Sequence, residues 1–169
     1  LVAAAAVALS LDPGRARGET VYAVTFDAQG IGDPGRLYAV DPATGVSTRV
    51  AALDTPFKFT QPMGLAFTPD SRLLATGCLD SRIRIFDVKT GDRVAMFKAH
   101  TRGTVNDLQF TSDGKLLASS GVDGTVRLWD VSDLKNPSEK KTLQAHDGVA
   151  FGVAISPDDR WLVSAGWDE

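Results

Sequence analysis

One cysteine in 169 residues, Cys78, leaves no partner for an internal disulfide and no set of thiolates for a zinc site. It lies in a strand-like run, where a small buried filler is expected rather than a reactive thiol. Histidine is nearly as scarce, with His100 and His146 alone. The net charge is −3 and no stripe of Lys and Arg stands out, so nucleic acid is not an expected partner. From Thr20 onwards the periodicity of amphipathic helices is missing. What remains is ordinary globular composition, 43% hydrophobic and 23% charged, in a chain long enough to bury a core.

A long apolar run occurs at the start, Leu1-Val-Ala-Ala-Ala-Ala-Val-Ala-Leu9. It reads as the end of a signal-peptide hydrophobic region, with small residues near a cleavage site such as Ala8-Leu9-Ser10. The tail of a membrane anchor and a plain alanine-rich lead-in stay open as alternatives. Arg15 and Arg17 weigh mildly against export. The expectation is a secreted or periplasmic protein, with membrane-anchored or cytoplasmic location as the alternative. A membrane is a partner only if the run is an anchor.

The rest of the chain repeats itself. Leu65-Ala-Phe-Thr-Pro-Asp70 returns as Leu108-Gln-Phe-Thr-Ser-Asp113 and as Val153-Ala-Ile-Ser-Pro-Asp158, at steps of 43 and 45 residues. Asp80, Asp123 and Asp168 keep the same rhythm. Short β-branched, aromatic and aliphatic runs alternate with tight-turn chemistry, as at Asp113-Gly114, Asp123-Gly124 and Thr90-Gly91-Asp92. Strands are expected at Met63–Phe67, Leu73–Gly77, Ser81–Asp87 and Arg93–Phe97. A second set is expected at Val105–Phe110, Leu116–Ser120, Thr125–Asp130 and Lys140–Gln144. Ala150–Ile155 and Trp161–Ala165 begin a third. Asp41-Pro-Ala-Thr-Gly45 echoes Asp87-Val-Lys-Thr-Gly91, so Val21–Phe26, Arg36–Asp41 and Ser47–Ala52 read as an earlier, degenerate unit. Four short strands per roughly 40–45 residues is the rhythm of β-propeller blades.

The central repeat carries more. Ala99-His100, followed by Leu116-Leu-Ala-Ser-Ser-Gly-Val-Asp-Gly-Thr-Val-Arg-Leu-Trp-Asp130, resembles a WD40 repeat. The resemblance covers residues 61–169, and residues 20–60 more weakly. It implies an all-β fold, with blades of four antiparallel strands in an incomplete ring of about three and a half blades. The expected divisions are 1–18 for the leader or anchor tail, 19–53 for the degenerate blade, and 54–98, 99–145 and 146–169 for the WD40-like units, the last truncated. The resemblance also implies a hydrogen-bonded chain through His100, Ser119, Asp123 and Trp129, whose buried polar groups would otherwise cost about 1–3 kcal/mol each. In the preceding blade Thr76 and Asp80 match. Its His slot is Phe57 and its Trp slot is Phe86, so an apolar filling is expected there. In the last unit His146, Ser164 and Asp168 match. Trp167-Asp168 is a false Trp-Asp signature, because Asp168 aligns with Asp123 rather than Asp130.

Several apparent motifs have plainer explanations. His100, Ser119 and Asp123, like His146, Ser164 and Asp168, have the residue types of a hydrolase triad, but the blade pattern already accounts for them. Gly30-Ile-Gly-Asp-Pro-Gly35 spells a dinucleotide fingerprint, yet a strand follows where a helix is needed. Asp27 and Asp33 are too few ligands for calcium. Ser132-Asp-Leu-Lys-Asn-Pro-Ser-Glu139 is expected to be a solvated loop, with a docking loop as the alternative. No catalytic residue, metal or cofactor is expected.

Members of the family usually bind peptides or proteins through the loop before the first strand and the turn after the second. Alignment places Met63, Asn106, Phe151, Leu79, Val122 and Trp167 there. Five are apolar, and such clusters mark interaction sites. The expected function is a non-catalytic scaffold for a protein or peptide partner, within a longer protein. Two alternatives remain: an accessory propeller of an exported or membrane-anchored enzyme, and a quinoprotein- or lactonase-like propeller, suggested by Leu37-Tyr-Ala-Val-Asp-Pro-Ala-Thr-Gly45.

Overall fold

The computed structural model describes residues 62–168, the strands at 21–25, 36–40 and 47–52, and residues 44 and 46. The apolar leader, the glycine-rich segment 30–35, Asp27, Asp33 and Phe57 lie outside the described residues. Among the described residues no helix is long and apolar enough to cross a membrane.

Thirteen strands follow one another: β1 (Val21–Thr25), β2 (Arg36–Val40), β3 (Ser47–Ala52), β4 (Pro62–Phe67), β5 (Leu73–Cys78), β6 (Arg82–Asp87), β7 (Arg93–Lys98), β8 (Val105–Phe110), β9 (Leu116–Gly121), β10 (Thr125–Asp130), β11 (Ser138–Gln144), β12 (Ala150–Ile155) and β13 (Leu162–Gly166). All pair antiparallel with their sequence neighbours, as β1-β2-β3, β4-β5-β6-β7, β8-β9-β10-β11 and β12-β13. The fold is all-β with four-stranded blades, and among the described residues the sheets do not close into a ring. Two compact units divide the chain, Leu1–Lys58 with Val88–Asp92, and Phe59–Asp87 with Arg93–Glu169.

The repeat in the sequence becomes a repeat in register. Leu65 pairs with Thr76, Leu108 with Ser119 and Val153 with Ser164, and each of these hairpins has a bulge near its start. The turns between the two strands repeat too. Thr68, Thr111 and Ser156 each direct a hydroxyl to the Asp two residues on. That Asp also accepts an amide hydrogen from two residues further along, a local closure that competes well with extended structure.

Strand composition follows position in the sheet. β5 and β9 are almost wholly buried and contain no charge, whereas β11 is exposed along its length and reads Ser-Glu-Lys-Lys-Thr-Leu-Gln. Charged outer strands discourage edge-to-edge association. β11 starts earlier than the sequence suggests, at Ser138, and takes up part of the expected loop. Leu134, in what remains of that loop, packs on the core rather than standing in solvent.

Two apolar clusters flank the central sheet. One joins Ala75, Ile83 and Ile85 to Leu108, Leu117 and Trp129, with Phe97 tilted against Trp129 at a centroid distance of 4.9 Å. The other joins Ala118 and Val126 to Ala150 and Val153.

β8 packs against both β4 and β12, but by different means. Against β4 the contact is backbone on backbone: a Cβ on Gly64 would lie 2.8 Å from the Asp107 Cα. Against β12 it is a ladder of side chains. Asp107 accepts from the Val153 amide at 3.0 Å, Gln109 accepts from the Ile155 amide at 2.8 Å, and Asn106 donates to the Ala150 carbonyl at 2.8 Å. Successive residues on one face of a strand are two apart, so Asp107 and Gln109 reach amides that are also two apart.

Candidate functional site

The central sheet has a buried polar chain. The Trp129 indole N–H donates to Ser119 Oγ at 3.1 Å. The Ser119 hydroxyl meets His100 Nε2 at 2.9 Å, and His100 Nδ1 meets Asp123 at 2.8 Å. One neutral tautomer, with the proton on Nδ1, satisfies every group in order: indole to hydroxyl, hydroxyl to imidazole, imidazole to carboxylate. Burial lowers the His100 pKa despite the carboxylate beside it. Burial would raise that of Asp123, but hydrogen bonds from Thr125, the Thr101 amide and His100 outweigh it and hold the carboxyl well below its ordinary range. Ser119 is fully buried and its oxygen already serves both His100 and Trp129, so no substrate reaches it.

The structure shows what admits the histidine. His100 lies across Gly121, where an added Cβ would stand 2.3 Å from its Nδ1. His146 lies across Gly166 in the same way, with a Cβ 2.4 Å from its ring. The corresponding residue of the β4–β7 sheet, the first of the four-stranded sheets and called the first sheet below, is Cys78, buried in β5. The sequence therefore contains a signal that spacing alone overlooks: glycine where the histidine is present, and a side chain where the histidine is replaced.

The first sheet corrects the expectation of an apolar filling. Phe86 is buried, but so is Arg84, with 2% of its side chain exposed. Its guanidinium grips Asp80 with two hydrogen bonds, of 3.1 and 2.7 Å. Burial works against both charges, and the pairing prevails, lowering the Asp80 pKa and raising that of Arg84. Thr76 lies 3.7 Å from the Cys78 sulfur, whose own pKa is raised by burial. The matching arginine of the central sheet, Arg127, lies at a longer 3.6 Å from Asp123, whose carboxylate also serves the neutral chain. Arg84 Nε has no partner among the described residues.

The last sheet has the chain in part. His146 Nε2 lies 2.9 Å from Ser164 Oγ and His146 Nδ1 lies 2.8 Å from Asp168, both open to solvent. The hydrogen bond from His146 holds the Asp168 carboxyl below its ordinary range.

The six residues that alignment marks as a candidate partner surface separate into two groups. Met63, Leu79, Phe151 and Trp167 are exposed. Phe151 and Trp167 stack edge to face at 5.5 Å, and they remain 49% and 71% exposed. Asn106 is half-buried and engaged with Ala150, and half-buried Val122 supports Gly103. Among the described residues no cluster of three His, Cys, Asp or Glu is placed to hold a metal ion.

Four-stranded blades in a common register, with a His–Ser–Asp–Trp chain inside, define a repeat protein of the propeller class. A family model for the WD domain, G-beta repeat, matches residues 58–87, 91–130 and 137–169, more than half of the chain, and the protein belongs to the WD40 repeat family. Over 37 residues it is 46% identical to the WD repeat-containing protein 91 homolog of Dictyostelium discoideum, a match spanning 22% of this chain and 5% of that protein. WD40 domains commonly bind proteins and are usually non-catalytic.

Proposed function

We propose that this chain is a non-catalytic interaction scaffold, and that it holds an extended peptide or a loop of a partner protein on the face carrying Met63, Leu79, Phe151 and Trp167. The observation that supports this most directly is the edge-to-face pair of Phe151 and Trp167. Its rings pack on each other and still leave much of their surface in water. Rigid aromatics of this kind supply contact area at small entropic cost and dominate interface energetics. Asn106 and Val122, held in the scaffold, would fix the strand ends beneath the exposed residues.

A peptide array probed with the 169-residue chain tests the proposal. Replacing Phe151 and Trp167 together by Ala should weaken the best peptide at least about tenfold, in line with hot-spot truncations. Unchanged affinity would remove this face from consideration. Labelling of Ser164 by a fluorophosphonate would contradict the non-catalytic assignment, since that serine is the one exposed to solvent beside a histidine.

A further inference from the structure

At the end of the first sheet that carries Met63 and Leu79, the carboxylate is engaged and the cations are left outside. Asp80 gives both oxygens to buried Arg84, at 3.1 and 2.7 Å. Arg82, which begins β6 and has 44% of its side chain exposed, keeps only a loose contact with Asp80 at 3.9 Å. It stands directly opposite Lys98, the last residue of β7. Like charges so placed repel each other. Lys98 is exposed, and among the described residues no carboxylate lies within ion-pair distance of it.

The neighbouring loop brings a third cation. The Ala99 and His100 amides donate to the Ser81 carbonyl at 2.8 and 3.2 Å, and the Ser81 hydroxyl donates to the Gly103 carbonyl at 2.6 Å. Arg102 is therefore held beside the turn that leads into Arg82, and it is exposed. Thr101, just before it, donates its amide and hydroxyl to Asp123, whose side chain is 4% exposed and also serves His100 and Thr125. Among the described residues Arg82, Lys98 and Arg102 thus have no free carboxylate to neutralise them. Apolar surface adjoins them. Leu79, 41% exposed, opens the turn that ends at Arg82, and Met63, 53% exposed, follows the pairing of Pro62 with Cys78 at the same strand end.

Resting on the interaction face proposed above, we infer that its first-sheet end selects an acidic peptide segment: an aliphatic side chain on Met63 and Leu79, with a neighbouring Asp or Glu on Arg82, Lys98 and Arg102. An anion there relieves the repulsion between Arg82 and Lys98, which no carboxylate among the described residues does. The fork of an exposed guanidinium matches a carboxylate, and charge of this kind gives specificity and register more than raw affinity. Nucleic acid fits less well, because three cations neutralise few phosphates and the apolar side chains beside them would meet none.

The probe is a library of octapeptides with leucine fixed at the fourth position and the others random, captured on the whole immobilised chain and read by mass spectrometry. Asp and Glu should be enriched at least about threefold beside the leucine, the worth of one exposed ion pair. Raising the salt to about 0.5 M should remove that enrichment. Arg82→Gln, Lys98→Gln and Arg102→Gln made together should remove it too, while peptides held through Phe151 and Trp167 are still captured. All three side chains are exposed, so the fold should survive the change. Capture without acidic enrichment would overturn the inference and leave the interaction face standing, whereas no capture at all would overturn both. An acidic preference that persists in the triple variant, or tighter binding of octathymidylate than of the best peptide, would also overturn it.

Discussion

The first and central sheets have the same strands, register and turns, and both set an arginine on the turn aspartate, but only the central sheet adds a neutral relay beside it. The central sheet holds a neutral relay from Trp129 to Ser119 to His100, ending on Asp123. The first sheet holds a guanidinium against a carboxylate, Arg84 on Asp80. What is common is a requirement: the turn aspartate must be satisfied inside the sheet. What differs is how. A relay spreads the demand over four side chains whose positions depend on one another, whereas an ion pair concentrates it on one contact and depends on charge. One side chain separates the two sheets sterically: a Cβ at Gly121 would strike His100, whereas the matching Cys78 has both a Cβ and a sulfur.

The sharpest way to break the comparison is to move that side chain. Gly121→Cys gives the central sheet the residue of the first and drives a Cβ into His100, leaving Asp123 to Arg127, whose guanidinium lies 3.6 Å away. We expect a loss of about 3 kcal/mol or more, read from urea unfolding, because the whole relay is disrupted at once. Cys78→Gly should cost less, since it opens a small space and gives up only the weak contacts of the sulfur with Thr76. If the two changes cost the same, the glycine is not what selects the relay.

Arg84→Met tests the ion pair. It keeps much of the side-chain volume and leaves Asp80 without its cation. Removing one partner of a well-buried pair costs about 3–5 kcal/mol, and the partial exposure of Asp80 should hold this case to about 2. Adding Asp80→Asn should recover part of the loss. A double variant no more stable than Arg84→Met would show that the arginine acts by packing alone.

Trp129→Phe removes the donor at the head of the relay and keeps most of the ring. The expected loss is about 1 kcal/mol, with protection from hydrogen exchange reduced in β9 more than in β5. A phenylalanine is native at the matching position of the first sheet, Phe86, so the change also asks how far the central sheet tolerates the alternative.

The smallest effect is that of mild acid. Burial favours neutral His100, so the unfolded chain takes up a proton there before the folded one does. Stability of the central sheet should therefore fall as pH drops through the ordinary histidine range, near about 6.5, whereas the ion pair of the first sheet holds until its carboxylate is protonated at much lower pH. Exchange rates of β9 and β5 amides, compared between pH 7.5 and 5.5, should diverge. Parallel behaviour would mean that the imidazole does not respond to its burial.

The sequence announces the strands because the turns repeat. Each Thr or Ser followed by Asp marks a closure, and the aliphatic runs between closures have no other way to bury themselves. The pairings of His100, Ser119, Asp123 and Trp129 were implied by the resemblance to a WD40 repeat, because along this chain only the Ser or Thr and the Asp return in all three units and the Trp does not. Arg84 was not legible. An arginine in an alternating strand reads as solvent-facing, and its place beside the turn carboxylate is what draws it inward, as it does Arg127 on Asp123 in the central sheet. The roles of Asp107 and Gln109 were hidden for another reason. They bond to backbone, and a backbone amide leaves no trace in the identity of the residue that owns it.

That last point has an evolutionary consequence. A joint made by side chains on one strand and peptide groups on the other places all of its sequence requirements on one partner. Asp107 and Gln109 must be kept, while Val153 and Ile155 can drift through any residues that fit the neighbouring apolar cluster. A copied repeat can then diverge quickly on its receiving strand and still be seated in the same place.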